Sequence, residues 1–301
     1  MNLGVNICGI HFKNPIIAAS GTYGFGREYD RIYDISVLGG IAVKGLTLKA
    51  RAGNPPPRIA ETPSGILNSV GLQNPGVEHF IRHDLPWLIA KNIPVIANIA
   101  GSTVEEYCEI TERLSDSSIS MLELNVSCPN VREGGVTFGT DKDMLARVVS
   151  SVKKFTRKPL CVKLSPNVTD IAEMAYIAQD CGAGAVSLIN TLTGMAIDAV
   201  TRKPILANIT GGLSGPAVKP IALRMVWQTA KRVKIPVIGM GGIMTATDVV
   251  EFLLAGASVV MVGTANIANP NACPEIIEGL KEYMDKYNVR DVNELVGGML
   301  E

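Results

Sequence analysis

Short apolar runs ending in polar or glycine residues recur along the chain: PIIAAS, GGIAVKG, PVIANIAG, SMLELNVS, PLCVKLSP, AVSLINT, PVIGMGG and SVVMVGT. Between most of them lie segments whose apolar residues repeat at helical spacing, among them DKDMLARVVSSVKKF, DIAEMAYIAQDCG, KPIALRMVWQTAKRV and TATDVVEFLLAG. The pattern is strand, helix, strand, helix. The runs are rich in Val and Ile and lack polar alternation, which suits parallel strands covered on the outside by helices. A closed α/β structure, the (β/α)8 TIM barrel, meets both conditions. With 301 residues, 47% of them hydrophobic, the chain is long enough for one such barrel, and residues 1–301 are read as a single domain.

Two long interruptions break the rhythm, from about Leu46 to Gly76 after the second strand and from Thr191 to Pro216 after the sixth. Both follow the carboxyl end of a strand, the face on which barrel enzymes build their sites, so they are predicted to wall the substrate and meet partners. The first residues are predicted to form a small hairpin plugging the opposite barrel end, and the last dozen a terminal helix.

Composition narrows the chemistry. Lys plus Arg equals Asp plus Glu at 28 each, so no global field draws in phosphate backbones or anionic lipid, and neither nucleic acid nor membrane is an expected partner. The start, MNLGVNICGIHFKNP, lacks the basic and apolar regions of a signal peptide, and no stretch approaches a membrane span, so a cytoplasmic location is expected. The six cysteines show no C-x-x-C pair, and no metal site is expected. Five sit in apolar or helical contexts, such as Cys161 in PLCVKL, where a small buried hydrophobe explains them. Cys128 is the exception.

Gly241-Gly242 follows the seventh strand and Gly263-Thr264 the eighth, the pair of loops that commonly holds phosphate in this fold. Glycine lets bare N–H groups approach an anion, and a helix N-terminus adds favourable partial charge; Thr245 or Thr247 is predicted to cap a helix beginning near Asp248. Either loop alone reads equally as a tight turn; together they favour phosphate. Isomerase and lyase barrels hold phosphorylated substrates at the same place, so other residues must decide. Lys44 and Lys163 stand in apolar flanks, IAVKG and LCVKL, and a lysine pointing into a barrel mouth needs an anion to offset its desolvation. Reduced flavin is such an anion. Gly182-Ala183-Gly184 precedes a strand and reads as a turn.

Asn98, Asn125 and Asn190 close the third, fourth and sixth strands, and Asn68 lies in the first interruption. An amide offers a donor and an acceptor together, which a pyrimidine ring alternating C=O and N–H requires from several directions. Singly, each Asn reads as a turn residue; their shared location argues for a site. Cys128 lies just past the fourth strand in NVSCPNVREGG, a loop that can open and close. A thiol with a reference pKa of about 8.5 is a credible acid or base near neutrality. The histidines suit that role less: His11 falls in the hairpin, and His79 and His83 share one helix face with no evident third metal ligand.

With these residues assembled, the sequence resembles the class 1 dihydroorotate dehydrogenases along nearly its whole length. The resemblance rests on SGT from Ser20, KG from Lys44, NSVGLQNPG from Asn68, NVSCPN from Asn125, VKLSP from Val162, NT from Asn190, GGLSGPAVKPIAL from Gly211 and GMGGI from Gly239. It implies one FMN per chain, contacted by Ser20, Lys44, Gly45, Asn98, Asn125, Lys163, Ile189, Gly215, Gly241, Gly242, Gly263 and Thr264. It further implies that Lys44, Asn68, Ser69, Val70, Gly71, Leu72, Asn125, Asn190 and Thr191 hold orotate. In the family mechanism, Cys128 takes the C5 proton of dihydroorotate as hydride leaves C6 for flavin N5; Lys44 belongs to the catalytic set.

The GGLSGPAVKPIAL stretch looks like the 1B branch. That implies a homodimer of this chain flanked by electron-transfer subunits, which carry FAD and a 2Fe-2S cluster and pass electrons to NAD. The chain's lack of a second nucleotide fingerprint and of a cysteine cluster accords with this. A fumarate-reducing 1A homodimer is the nearest alternative. A non-redox phosphate-binding barrel and a flavoenzyme acting on uridine in RNA stand further off, and a non-catalytic binding module leaves Cys128, Lys44 and Lys163 without a joint explanation.

Overall fold

The computed structural model describes residues 1–127, 132–133 and 136–300. All eight apolar runs form strands: β1 (Ile16–Ala18), β2 (Gly40–Ala42), β3 (Val95–Ile99), β4 (Met121–Asn125), β5 (Leu160–Lys163), β6 (Ala185–Leu188), β7 (Val237–Met240) and β8 (Val259–Val262). Apart from half-buried Asn125, every residue in them is buried, as expected of strands with a packed lumen on one side and helices on the other. The strands are parallel and follow chain order around the ring. Pairing of Val260 with Ile16 and of Val262 with Ala18 closes the barrel.

Helices α1 (Leu85–Ala90), α2 (Val104–Ser115), α3 (Lys142–Lys153), α4 (Ile171–Asp180), α5 (Lys219–Arg232), α6 (Ala246–Leu254) and α7 (Ala272–Lys286) occupy the connections. Amphipathic spacing seats them. In α2, for example, Val104, Tyr107, Ile110, Thr111 and Leu114 form the buried stripe. Thr103, Asp141, Asp170 and Thr245 each cap a helix by accepting a hydrogen bond from the backbone N–H three residues on. Thr245 is the cap expected at α6, although the helix begins at Ala246, two residues ahead of Asp248. The first connection holds two 3-10 turns, Tyr29–Arg31 and Ile35–Val37, in place of an α-helix.

Val5–Ile7 and Ile10–Phe12 pair as the expected hairpin. It lies at the amino end of the barrel, where Phe12 is buried and Cys8 Sγ donates to the Gly184 carbonyl, 3.1 Å away, just ahead of β6. The last dozen residues depart from expectation: among those described, what forms in place of a helix is a 3-10 turn, Val292–Leu295. Gly297 at φ 71° and Gly298 follow it, and glycine in that conformation ends helical structure. At the other end of the barrel, the two interruptions join into one antiparallel sheet ordered Leu192–Met195, Thr210–Ser214, Gly65–Asn68, Ile59–Thr62. Among the described residues no helix is long and apolar enough to cross a membrane.

Candidate active site

A cavity of about 270 Å³ opens at the carboxyl ends of the barrel strands, against the added sheet. Ser20 reaches it just past β1, Lys44 and Gly45 past β2, Asn98 from β3, Asn125 from the end of β4 and Lys163 from the end of β5. Ile189, Asn190 and Thr191 follow β6, Gly241 and Gly242 follow β7, and Gly263 and Thr264 follow β8. The interruptions contribute Asn68, Ser69, Val70, Gly71, Leu72 and Gly215. These predicted site residues therefore share one cavity. Cys128 lies outside the described residues; Ser127, immediately before it, is on the cavity wall.

The glycine loop past β7 depends on glycine. Gly241 and Gly242 have φ of 120° and 78°, and a Cβ on Gly242 would lie 2.7 Å from the Lys219 backbone nitrogen and 2.9 Å from the Gly215 oxygen. Only bare backbone lets the start of α5 and the Gly215 loop approach so closely. Asp248 braces the same loop: one carboxylate oxygen accepts from the Met244 and Thr245 backbone N–H groups at 2.9 and 2.8 Å. The other takes Lys219 Nζ at 2.6 Å, while Glu251 takes the same ammonium at 2.9 Å. Lys219 thus already has its counter-charge, and Gly241, Gly242, Gly263 and Thr264 line the cavity. Thr264 Oγ1 donates to Ser214 Oγ at 2.9 Å, linking the β8 loop to the added sheet.

The polar lining is ordered by its own contacts. Asn190 Nδ2 donates to Asn125 Oδ1 at 3.2 Å, and the Thr191 N–H donates to Asn190 Oδ1 at 2.8 Å. Tyr107 Oη donates to the Asn125 carbonyl at 2.7 Å. Lys163 is only 5% exposed, and among the described residues no carboxylate forms an ion pair with it. Asn98 is fully buried, and its Oδ1 has no hydrogen-bond partner. A buried cation without an anion and a buried acceptor without a donor are both costly, and a bound anionic group bearing N–H would satisfy them.

The described residues on both sides of the Cys128 segment are held. Ser127 Oγ donates to the Lys163 carbonyl at 3.2 Å. On the far side, Phe138 packs edge-on against Tyr107, with ring centroids 5.6 Å apart, and a Cβ on Gly139 would lie 2.5 Å from the Val126 carbonyl. In the first interruption, Asn54 takes the Val70 carbonyl through its backbone N–H at 3.0 Å and the Ser69 carbonyl through Nδ2 at 2.8 Å. Asn74 Nδ2 reaches the Leu72 carbonyl at 2.7 Å.

Sequence reasoning passed over Asn54, Asn74 and the Lys219–Asp248 pair, and above all Glu123. This fully buried carboxyl on β4 lies beneath the cavity, with Asn98 Nδ2 at 2.5 Å and Ser187 Oγ at 2.7 Å. The signal was available: a lone acidic residue in the apolar run MLEL. Cys161, in register with it, behaves as the expected buried hydrophobe, its thiol pushed well up by burial and by the nearby Glu123.

Fold and site together define a (β/α)8 barrel with a glycine-cradled, amide-lined pocket at its catalytic face. The chain belongs to the dihydroorotate dehydrogenase family, whose sequence model matches residues 2–284. It is 57% identical over 296 residues to a protein of Alkaliphilus oremlandii (strain OhILAs), covering 98% of each chain, and 56% identical over 299 residues to one of Alkaliphilus metalliredigens (strain QYMF), covering 99% of each. A protein of Geotalea uraniireducens (strain Rf4) is 55% identical over 300 residues, covering 99% of this chain and 98% of its own. All three relatives carry the name dihydroorotate dehydrogenase B (NAD(+)), catalytic subunit.

Proposed function

We propose that this chain is the catalytic subunit of an NAD-dependent dihydroorotate dehydrogenase, oxidising (S)-dihydroorotate to orotate in pyrimidine biosynthesis in the cytoplasm. The observation that carries this is the convergence of Lys44, Lys163, the amides Asn68, Asn98, Asn125 and Asn190, and both glycine loops on one cavity. Full-length identity to the relatives above supports the substrate and the acceptor. A single domain over residues 1–301 is part of the same proposal.

The residues present fit FMN. Gly215, Gly241, Gly242, Gly263 and Thr264 would hold its phosphate; Ser20, Lys44, Gly45, Asn98, Asn125, Lys163 and Ile189 would hold the rest. When bound, FMN supplies the hydride acceptor for C6. Lys163 would balance negative charge on the ring system, and Asn98 Oδ1 would accept an N–H. Lys44, the Asn68–Leu72 segment, Asn125, Asn190 and Thr191 would orient the pyrimidine, their amides matching its alternating carbonyls and N–H groups. Cys128 would take the C5 proton, so that substrate loses one proton and one hydride and becomes orotate.

The chain would work as a homodimer with a partner subunit bearing FAD and a 2Fe-2S cluster, which carries electrons onward to NAD. Apolar Ile59 and Met195, exposed on the added sheet, and Ile197, exposed in the short ribbon strand Ile197–Asp198 that follows Met195, support a contact surface there. Purified alone, the chain should be yellow and should oxidise dihydroorotate with an artificial acceptor but barely with NAD. Rapid NAD reduction by the lone chain would contradict the assignment, and unaided fumarate reduction would replace it with the 1A reading.

A further inference from the structure

Among the described residues Glu123 is the one fully buried carboxylate of the barrel lumen, and the proposed reaction gives it no task. Its register partners are Asn98 on β3 and Cys161 on β5. Oε2 accepts from Asn98 Nδ2 at 2.5 Å and Oε1 from Ser187 Oγ at 2.7 Å. Among the described residues no Lys, Arg or His pairs with it. A carboxyl group so placed does little for stability, since an apolar residue of like volume commonly serves a core at least as well.

What the contact does decide is the polarity of the Asn98 amide. Because Glu123 Oε2 accepts, the amide's NH2 is committed downward, and Oδ1 is left as the group that can serve the cavity. Oδ1 is buried without a partner, and it stands 2.9 Å from where a Cβ of Gly45 would be, so glycine there keeps the space beside it clear. We propose that Glu123 is a positioning residue: it holds Asn98 with its carbonyl oxygen toward the cavity, so that the site demands an N–H donor from the bound ring system at that point. This rests on the flavin reading above.

The test is the FMN dissociation constant of the full-length apoprotein, read by flavin fluorescence titration. In Glu123→Gln, the new amide still accepts from Asn98 while its NH2 turns to Ser187, whose hydroxyl can reverse roles; affinity should stay within about threefold of wild type. Glu123→Met removes the acceptor and frees the Asn98 amide to turn over, and affinity should fall about tenfold. Asn98→Asp sets two carboxyl groups against each other and should fall at least as far. Asn98→Asp combined with Glu123→Gln again offers a donor below and an acceptor above, and should recover most of that loss, which a residue that merely fills space would not produce. Wild-type affinity in Glu123→Met, or no recovery in the double variant, overturns the proposal; if Glu123→Met does not fold, the recovery decides alone. A wild-type chain that binds no FMN defeats the flavin reading and this proposal with it, whereas FMN binding without recovery defeats this proposal only.

Discussion

Under the proposed function, the chemistry turns on Lys163 and Cys128. Lys163 is held in the lumen with no carboxylate paired to it among the described residues, an arrangement that costs stability in the apoprotein and is repaid when an anionic ligand binds. Lys163→Met should therefore leave the apoprotein at least as heat-stable as wild type while weakening FMN binding about tenfold or more, as melting and fluorescence titration would read. Cys128→Ser should retain FMN yet slow its reduction by dihydroorotate by about a hundredfold, because a serine hydroxyl is a far weaker base near neutrality. A stopped-flow absorbance trace at full wild-type rate would remove the thiol from the reaction. At this scale the sequence was informative wherever a polar residue interrupts an apolar run: Lys44, Asn98, Asn125 and Lys163 stand out for that reason. Glu123 stands in the same context and was passed over, because its partners are on neighbouring strands, twenty-five residues back at Asn98 and sixty-four ahead at Ser187.

Among the elements, the α5 and α6 N-termini and the loop between β7 and α6 form one braced unit. Gly242→Ala should abolish FMN retention, since its Cβ would meet backbone at 2.7 and 2.9 Å in a conformation alanine rarely adopts. Gel filtration followed by an absorbance scan checks it. Burial pushes the Asp248 carboxyl up, but hydrogen bonds from Lys219, Met244 and Thr245 outweigh this and hold it below the usual carboxylate range. A carboxylate depressed in the folded chain contributes stability that is present above its unfolded value of about 4 and lost as pH falls through the folded value. Asp248→Asn should thus destabilise the chain by about 1–2 kcal/mol at neutral pH, the gap to wild type closing below about pH 4 in circular dichroism melts. The eight strands were legible because each is an apolar run bounded by proline, glycine or a polar residue. The added sheet was not: GILN, LTGM and TGGLS are short, glycine-rich and only partly buried, and their pairing of Asn68 with Gly212 spans more than a hundred residues. The terminal helix failed for a local reason, the Gly297-Gly298 pair.

For the molecule as a whole, ring closure brings residues from position 20 to position 264 to one face, which explains how a chain with zero net charge concentrates cationic and amide groups where they are needed. Under the proposed function, the electrons taken from the substrate pass out to a second protein. Co-expressed with an iron–sulfur flavoprotein subunit, the chain should migrate as a complex that reduces NAD, and separation of the two should abolish that activity while sparing dye reduction. Anaerobic mixing of the purified chain with dihydroorotate tests the central claim most directly. Bleaching of a flavin absorbance band, with orotate formed in equal amount, is the predicted result; a colourless protein, or a yellow one that dihydroorotate leaves unbleached, would contradict it.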